Sequence, residues 1–209
     1  MMLHTTLRRA LLAGAAILAV GLLTSGCSGG HDVTGVPGMS GTASASGQLP
    51  AGVNDADVMF AQMMIPHHRQ AVQMADLVAT RAGDPQLKTL AAQIKAAQDP
   101  EIATMTGWLT TWRQPTIMPS GTAMPGMDMS GAGTGMMSEQ DMAKLAAASG
   151  VDFDRLFARM MITHHQGAIQ MARTEQAHGV NPDTKALAAR IITSQQTEVD
   201  TLQKILDRL

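Results

Sequence analysis

The sequence predicts an all-α protein, a four-helix bundle built from two copies of one helical hairpin. Three observations carry this. Ala, Met, Leu and Gln dominate while aromatics are only 2% of the residues, a composition that favours helix over strand. The stretch Met63-Met64-Ile65-Pro66-His67-His68 recurs as Met160-Met161-Ile162-Thr163-His164-His165. The same offset then carries Pro85, Lys88, Leu90, Ile94, Gln98 and Glu101 onto Pro182, Lys185, Leu187, Ile191, Gln195 and Glu198, the mark of an internal duplication.

Taken in order, the chain opens on an export signal. Arg8 and Arg9 precede an apolar run from Ala10 to Leu23, about 14 residues and too short to span a bilayer. The run ends at Thr24-Ser25-Gly26-Cys27, which resembles a bacterial lipoprotein signal, although Thr24 stands where such signals usually carry leucine. Residues 1–26 would be removed and Cys27 lipidated; as the single cysteine it has no disulfide partner. Residues 27–52 are mostly Gly, Ser, Thr, Ala and Pro, a flexible tether. These features place the chain in the cell envelope, tied to a membrane by a lipid. The net charge of −2 offers no basic surface for nucleic acid.

The bundle is expected over residues 53–209. Asn54 with Asp57 caps a first helix that runs to about Thr80. Asp84-Pro85 and Asn181-Pro182 are matching caps with proline at the first helical position. Each opens the second helix of a hairpin, giving hairpin one over 53–113 and hairpin two over 151–209. Residues 114–150 form a crossover rich in Pro, Gly, Ser and Met, with a short helix from Ser138 to about Ala148, and helix three begins at Asp152. Four helices with one long crossover have a ferritin-like layout.

At about 100° per residue, His67 shares a buried stripe with Phe60, Met63, Met64, Ala71, Met74 and Val78. Gln98 and Glu101 lie on the face of Ile94, and Gln195 and Glu198 on that of Ile191. His67 and Gln98–Glu101 stand equally far from the turn near Gly83, so antiparallel helices bring them level; His164 is likewise level with Gln195 and Glu198. His67, His68, His164, His165, Glu101 and Glu198 should therefore converge on one core layer. Pro66 and Pro100 fall at this layer too, where each removes a helical hydrogen bond. A buried glutamate is costly unless it meets a cation or a donor. Two readings follow: a metal site, or a polar His–Glu layer that fixes the bundle's register. Met63, Met64, Met160 and Met161 are either core filler or ligands. Trp108 and Trp112 read as core, and His178 as a solvated cation at a helix end.

The pattern Met-Ile-x-His-His-x-x-Ala-x-x-Met-Ala, followed by Ala-x-x-Ile-x-x-x-Gln-x-x-Glu-Ile-x-x-Met, resembles the exported bacterial proteins known as domain of unknown function 305. The resemblance covers about residues 54–209, in both copies. It implies a ferritin-like fold and copper binding tied to copper tolerance. It also implies a functional set of His67, His68, Met64, Met74, Gln98, Glu101 and Met105, and in the second copy His164, His165, Met161, Met171, Gln195 and Glu198. Leu202 stands where Met105 has its counterpart, so copy two lacks that methionine.

The donor chemistry fits copper independently. Thioethers suit Cu(I), and imidazole serves Cu(I), Cu(II), zinc and iron. An exported protein is better served by methionine than by thiols, which oxidise or pair, and the chain has 18 methionines. Met118, Met124, Met127, Met129, Met136 and Met137 lie in the polar crossover, where packing gives no reason for them. They read as a mobile Cu(I)-collecting arm.

The expected function is an extracytoplasmic, membrane-tethered copper binder that sequesters or carries the ion. The rival is a ferritin-like di-metal oxidase. No Glu-x-x-His occurs at the layer, and two glutamates against four histidines are too few for ordinary di-iron chemistry. No phosphate loop, catalytic cysteine or nucleophile elbow is found, so no enzyme is expected. Expected partners are copper ions, the membrane through the anchor, and a second copy or a copper-handling protein.

Overall fold

The computed structural model describes residues 48–117 and 134–209. Cys27, the signal segment and Met118, Met124, Met127 and Met129 lie outside the described residues. The described chain forms five helices, α1 (Asp55–Arg81), α2 (Pro85–Thr111), α3 (Glu139–Ala147), α4 (Gly150–His178) and α5 (Pro182–Arg208). The α1–α2 and α4–α5 hairpins pack internally along their lengths, and α1 lies against α4 to join them. No described helix is long and apolar enough to cross a membrane. Helix α4 begins at Gly150, slightly ahead of the expected Asp152. Leu49 and Val53 pack against the bundle, so the folded region starts inside the segment read as tether.

The helix starts follow the chemistry of the caps. Asn54 and Asp57 form a reciprocal capping box. Asp84 accepts from the Leu87 amide at 2.8 Å, and Asn181 accepts from the amides of Asp183 and Thr184. Proline at the next position is pre-set for helix and has no amide to leave unsatisfied. Inside, the apolar stripes make two clusters. One gathers Met74, Val78, Leu87, Ile94, Phe153 and Phe157, and the other Phe60, Met64, Met105, Leu109, Leu187 and Ile191. Burying each such side chain is worth about 1.5–3 kcal/mol.

Asp57 does more than cap its own helix. Its Oδ1 accepts from the Val180 amide at 3.2 Å, the Asn181 amide at 3.0 Å and the Thr184 hydroxyl at 2.8 Å. Its repeat counterpart, Asp154, accepts from the amides of Gly83 and Asp84. Each hairpin thus supplies the carboxylate that closes the other hairpin's turn. Both side chains are buried.

The two turns then differ. Val78 and Leu87 in hairpin one become Glu175 and Thr184 in hairpin two, and Glu175 is 1% exposed. The Thr184 hydroxyl lies 2.6 Å from Glu175 Oε1 and 2.8 Å from Asp57 Oδ1. One hydroxyl hydrogen cannot serve two carboxylates, so below about pH 7 Glu175 holds a proton and donates to Thr184, whose own hydrogen is left for Asp57 or the Asn181 carbonyl. Burial, with Asp57 adding to it, pushes Glu175 up to about 7, against the pull of Thr184 and Lys185. Burial would also raise Asp57, but the amides of Asn54 and Asn181 outweigh it and hold that carboxyl low. Gly179 makes room, since a Cβ there would lie 2.1 Å from Glu175 Oε1.

A raised carboxyl binds its proton more tightly in the folded state. Its contribution is complete below the unfolded value of about 4.5 and is lost as pH climbs through about 7, a change on the order of 3 kcal/mol. Melting temperature should therefore fall between pH 5 and pH 8 in the native protein and stay nearly level in Glu175→Gln. A slope of equal size in the variant would assign the pH response elsewhere.

Candidate metal centre

Between the two apolar clusters lies a polar layer set by the histidine doublets. Adjacent helical residues point about 100° apart, so one imidazole of each doublet faces the other hairpin while its neighbour faces its own partner helix. His67 of α1 and His164 of α4 meet in the middle, with ring centroids 3.7 Å apart and planes at 36°. His68 Nε2 lies 2.8 Å from Glu101 Oε2 on α2, and His165 Nε2 lies 2.7 Å from Glu198 Oε2 on α5. The second contact has ion-pair distance but poor hydrogen-bond alignment, and His165 Nε2 has no aligned acceptor. The hairpin count placed these pairs at the right level. It placed the glutamates too deep, for their side chains are 19% and 15% exposed and face the water side of the layer.

All four imidazoles are buried, at 0–1% exposure. Burial, with repulsion from the neighbouring histidines, drives His67 down to about 3, although the Thr134 carbonyl opposes it. Burial also holds His164 well below its ordinary value, with His67 and His165 adding to the effect. Both are therefore neutral, the form that ligates metals. His67 Nε2 lies 2.9 Å from the Thr134 carbonyl oxygen. A carbonyl only accepts, so Nε2 carries the hydrogen and Nδ1 presents a lone pair. Among the described residues, that Nδ1 has no hydrogen-bond partner, nor does Nδ1 of His68 or His165; His164 leans on the His67 backbone without a well-aligned bond at either ring nitrogen. Among the same residues Gln98 has both amide atoms unpartnered, and Gln195 its Oε1.

The methionines divide. Met64 and Met105 sit fully buried in one apolar cluster, and Met74 and Met161 fully buried in the other. Met171 is 7% exposed and reaches a pocket of about 390 Å³ with Met63, Pro66, His67, Thr134 and Met136 on its walls. A second, larger groove of about 940 Å³ between α2 and α5 brings solvent to Glu198. The expected single pocket of four histidines and two glutamates is resolved into a central His67–His164 pair flanked by two His–Glu pairs. As they stand, no three His, Asp or Glu side chains among the described residues are arranged around one ion position.

The crossover also departs from expectation. Met136 and Met137 do not belong to a mobile arm. Gln70 donates to the Met137 carbonyl at 2.8 Å and accepts from the Met137 amide at 2.7 Å, and Met137 packs on an apolar cluster. Residues 134–137 thus form a strap across the α1–α4 seam, over His67. A Cβ on Gly167 would lie 1.8 Å from the Thr134 carbonyl oxygen, so only glycine lets the strap lie so close to α4. Gln70 and Gly167 occupy equivalent positions in the two repeats. That mismatch was the available signal for the strap.

The DUF305 family model, described as a domain of unknown function, matches residues 57–206. The chain belongs to the DUF305 family. A DUF305 protein from Streptomyces coelicolor is 31% identical, with a TM-score of 0.67 over 73% of this chain and 93% of that one. A DUF305 fragment from Deinococcus radiodurans is 30% identical, with a TM-score of 0.66 over 75% of this chain and 99% of that one. CopM in its Cu(II)-bound form is 34% identical, with a TM-score of 0.61 over 73% of this chain and 96% of CopM; it has also been solved with Cu(I) and with silver. No curated protein sequence shows a significant match to the chain. The doublets His67-His68 and His164-His165, which form the central layer, both lie within the matched residues.

Proposed function

We propose that this chain is an exported copper-binding protein that holds the ion in the histidine layer and sequesters or carries it without turnover. The observation that carries this is the set of buried imidazole nitrogens that have no hydrogen-bond partner among the described residues. A buried polar atom left unpaired costs about 1–3 kcal/mol, and a layer that only set the register would have no reason to keep several. A cation that takes nitrogen lone pairs satisfies them. Imidazole with nearby thioether suits copper better than calcium or magnesium, which demand oxygen. The ligands in this reading are His67, His68, His164 and His165, with Glu101 and Glu198 orienting the outer pair. Met64, Met74, Met161 and Met171 contribute polarisable sulfur around them, while Gln98, Gln195 and Met105 support the layer.

The relationship to CopM, solved with Cu(I), Cu(II) and silver, agrees with this cargo. The signal-like N-terminus with Cys27 as anchor, and a relative assigned as secreted, agree with export to the cell envelope and a role in copper tolerance.

Titration of the metal-free protein with Cu(I), Cu(II), Zn(II) and Fe(II) tests the reading. Copper should bind most tightly, and His67→Asn with His164→Asn should weaken it by more than about 100-fold while circular dichroism stays helical. Undiminished copper affinity in that folded variant would sink the proposal. Oxygen uptake with Fe(II) would favour an oxidase instead.

A further inference from the structure

The duplication makes the α1–α4 seam nearly symmetric in sequence, yet the fold leaves its two halves in different states. Met63, His67 and Met171 have Met160, His164 and Met74 as their repeat counterparts. Met160 and Met74 are sealed in an apolar cluster that also holds Leu145 of α3. Helix α3 occurs once among the described residues. On the other half, Met63 and Met171 line an open pocket that reaches His67, and the strap adds Met136 to the same wall. Three thioethers therefore face one cavity whose floor is an imidazole.

The rest of the lining narrows the ligand. Among its described lining residues Arg69 is the one that carries a fixed charge, and none is a carboxylate. Hard divalent cations find only the neutral oxygens of Gln62, Thr116 and Thr134 on these walls and none of the negative charge that they favour. Attraction has to come from sulfur, which selects a soft monovalent ion. Met63 packs on one apolar cluster and Met171 is part of it, but both also line the pocket together with the partly buried Met136.

We propose that Met63, Met136 and Met171, with His67 beneath them, form a separate loading site for Cu(I) at the mouth of the histidine layer. The site rests on the copper reading for the name of its cargo, and it adds a route, with sulfur capturing the ion before nitrogen receives it. Rim and layer share His67, so the ion passes between them without returning to water.

Silver(I) is a redox-inert probe for the site, followed by NMR of the full-length protein with ¹³C-methyl methionine and ¹⁵N-histidine. Substoichiometric Ag(I) should shift the methyls of Met63, Met136 and Met171 together with a His67 nitrogen first and the His164 nitrogens later. Met63→Leu with Met136→Leu and Met171→Leu, a volume-conserving change, should lower the Ag(I) endpoint by one equivalent and slow Cu(I) uptake at least tenfold. Met160→Leu, at the sealed counterpart, should do neither. Histidine shifts with silent rim methyls would overturn the loading site and leave the copper layer standing. Moving methyls and a moving His67 with a silent His164 would support the site and remove the layer as a copper centre, while moving methyls with His67 also silent would overturn the site as drawn. Silence in both would overturn both.

Discussion

Asp57→Ala is expected to lower the stability of the bundle by about 3–4 kcal/mol, more than any other single truncation considered for this protein. The carboxylate is fully buried. It accepts from the amides of Asn54, Val180 and Asn181 and from the Thr184 hydroxyl. Alanine leaves these donors without their acceptor, and each such loss costs about 1–3 kcal/mol where water cannot enter. The Val180 and Asn181 amides are the sensitive ones, because they sit in the turn that opens α5. Asp154→Ala removes the acceptor of the Gly83 and Asp84 amides only and should cost about 2–3 kcal/mol. Urea unfolding at pH 5, before the fall caused by Glu175 is complete, reads both numbers. A loss under about 1 kcal/mol for Asp57→Ala would mean that the turn closes without the other hairpin's carboxylate.

The second large effect is expected at Gly167. Alanine improves helix propensity by about 1 kcal/mol, so a bare helix would gain. Here the new Cβ would meet the Thr134 carbonyl oxygen at 1.8 Å and the Gly135 amide nitrogen at 2.9 Å. These are backbone atoms that cannot rotate away. Overpacking of this kind costs about 1–3 kcal/mol, and relief requires the strap to lift. Lifting breaks the paired Gln70–Met137 bonds and takes the Thr134 carbonyl from His67. Gly167→Ala should therefore be net destabilising, with loss of hydrogen-exchange protection at the Met137 amide and new reactivity of His67 towards diethyl pyrocarbonate. A more stable variant with the Met137 amide still protected would show that the strap does not lie against α4.

The fold could be read from the chain because its signals are local and repeated. Asp84-Pro85 and Asn181-Pro182 mark helix starts in one dipeptide each, and equal spacing about the turns put His67 level with Gln98–Glu101 and His164 level with Gln195 and Glu198, although it is their neighbours His68 and His165 that meet the glutamates. Contacts between the hairpins were harder. Asp57 was legible as the acid of its own capping box, but its hold on the Val180–Asn181 turn depends on how two hairpins dock, which periodicity does not encode. The same holds for Asp154. Glu175 and Thr184 could have been found by asking where the second copy turns apolar positions polar, since both replace large apolar residues, Val78 and Leu87, at once. Gln70 against Gly167 is another such mismatch. The residues that repeat describe the scaffold, and those that fail to repeat mark the buried proton and the strap. Met136 and Met137 were misplaced because composition alone cannot tell a docked segment of a loop from a free one.

The exchanged aspartates carry one further meaning. Neither hairpin can finish its own bend, since the group that completes it is borne by its sibling. Half of this protein is therefore not a smaller version of the whole but an unfinished one, and an ancestral single hairpin could have been completed only by a twin. Helix α3 and the strap lie in the junction between the two, so the pair is matched at its bends and unequal along its seam.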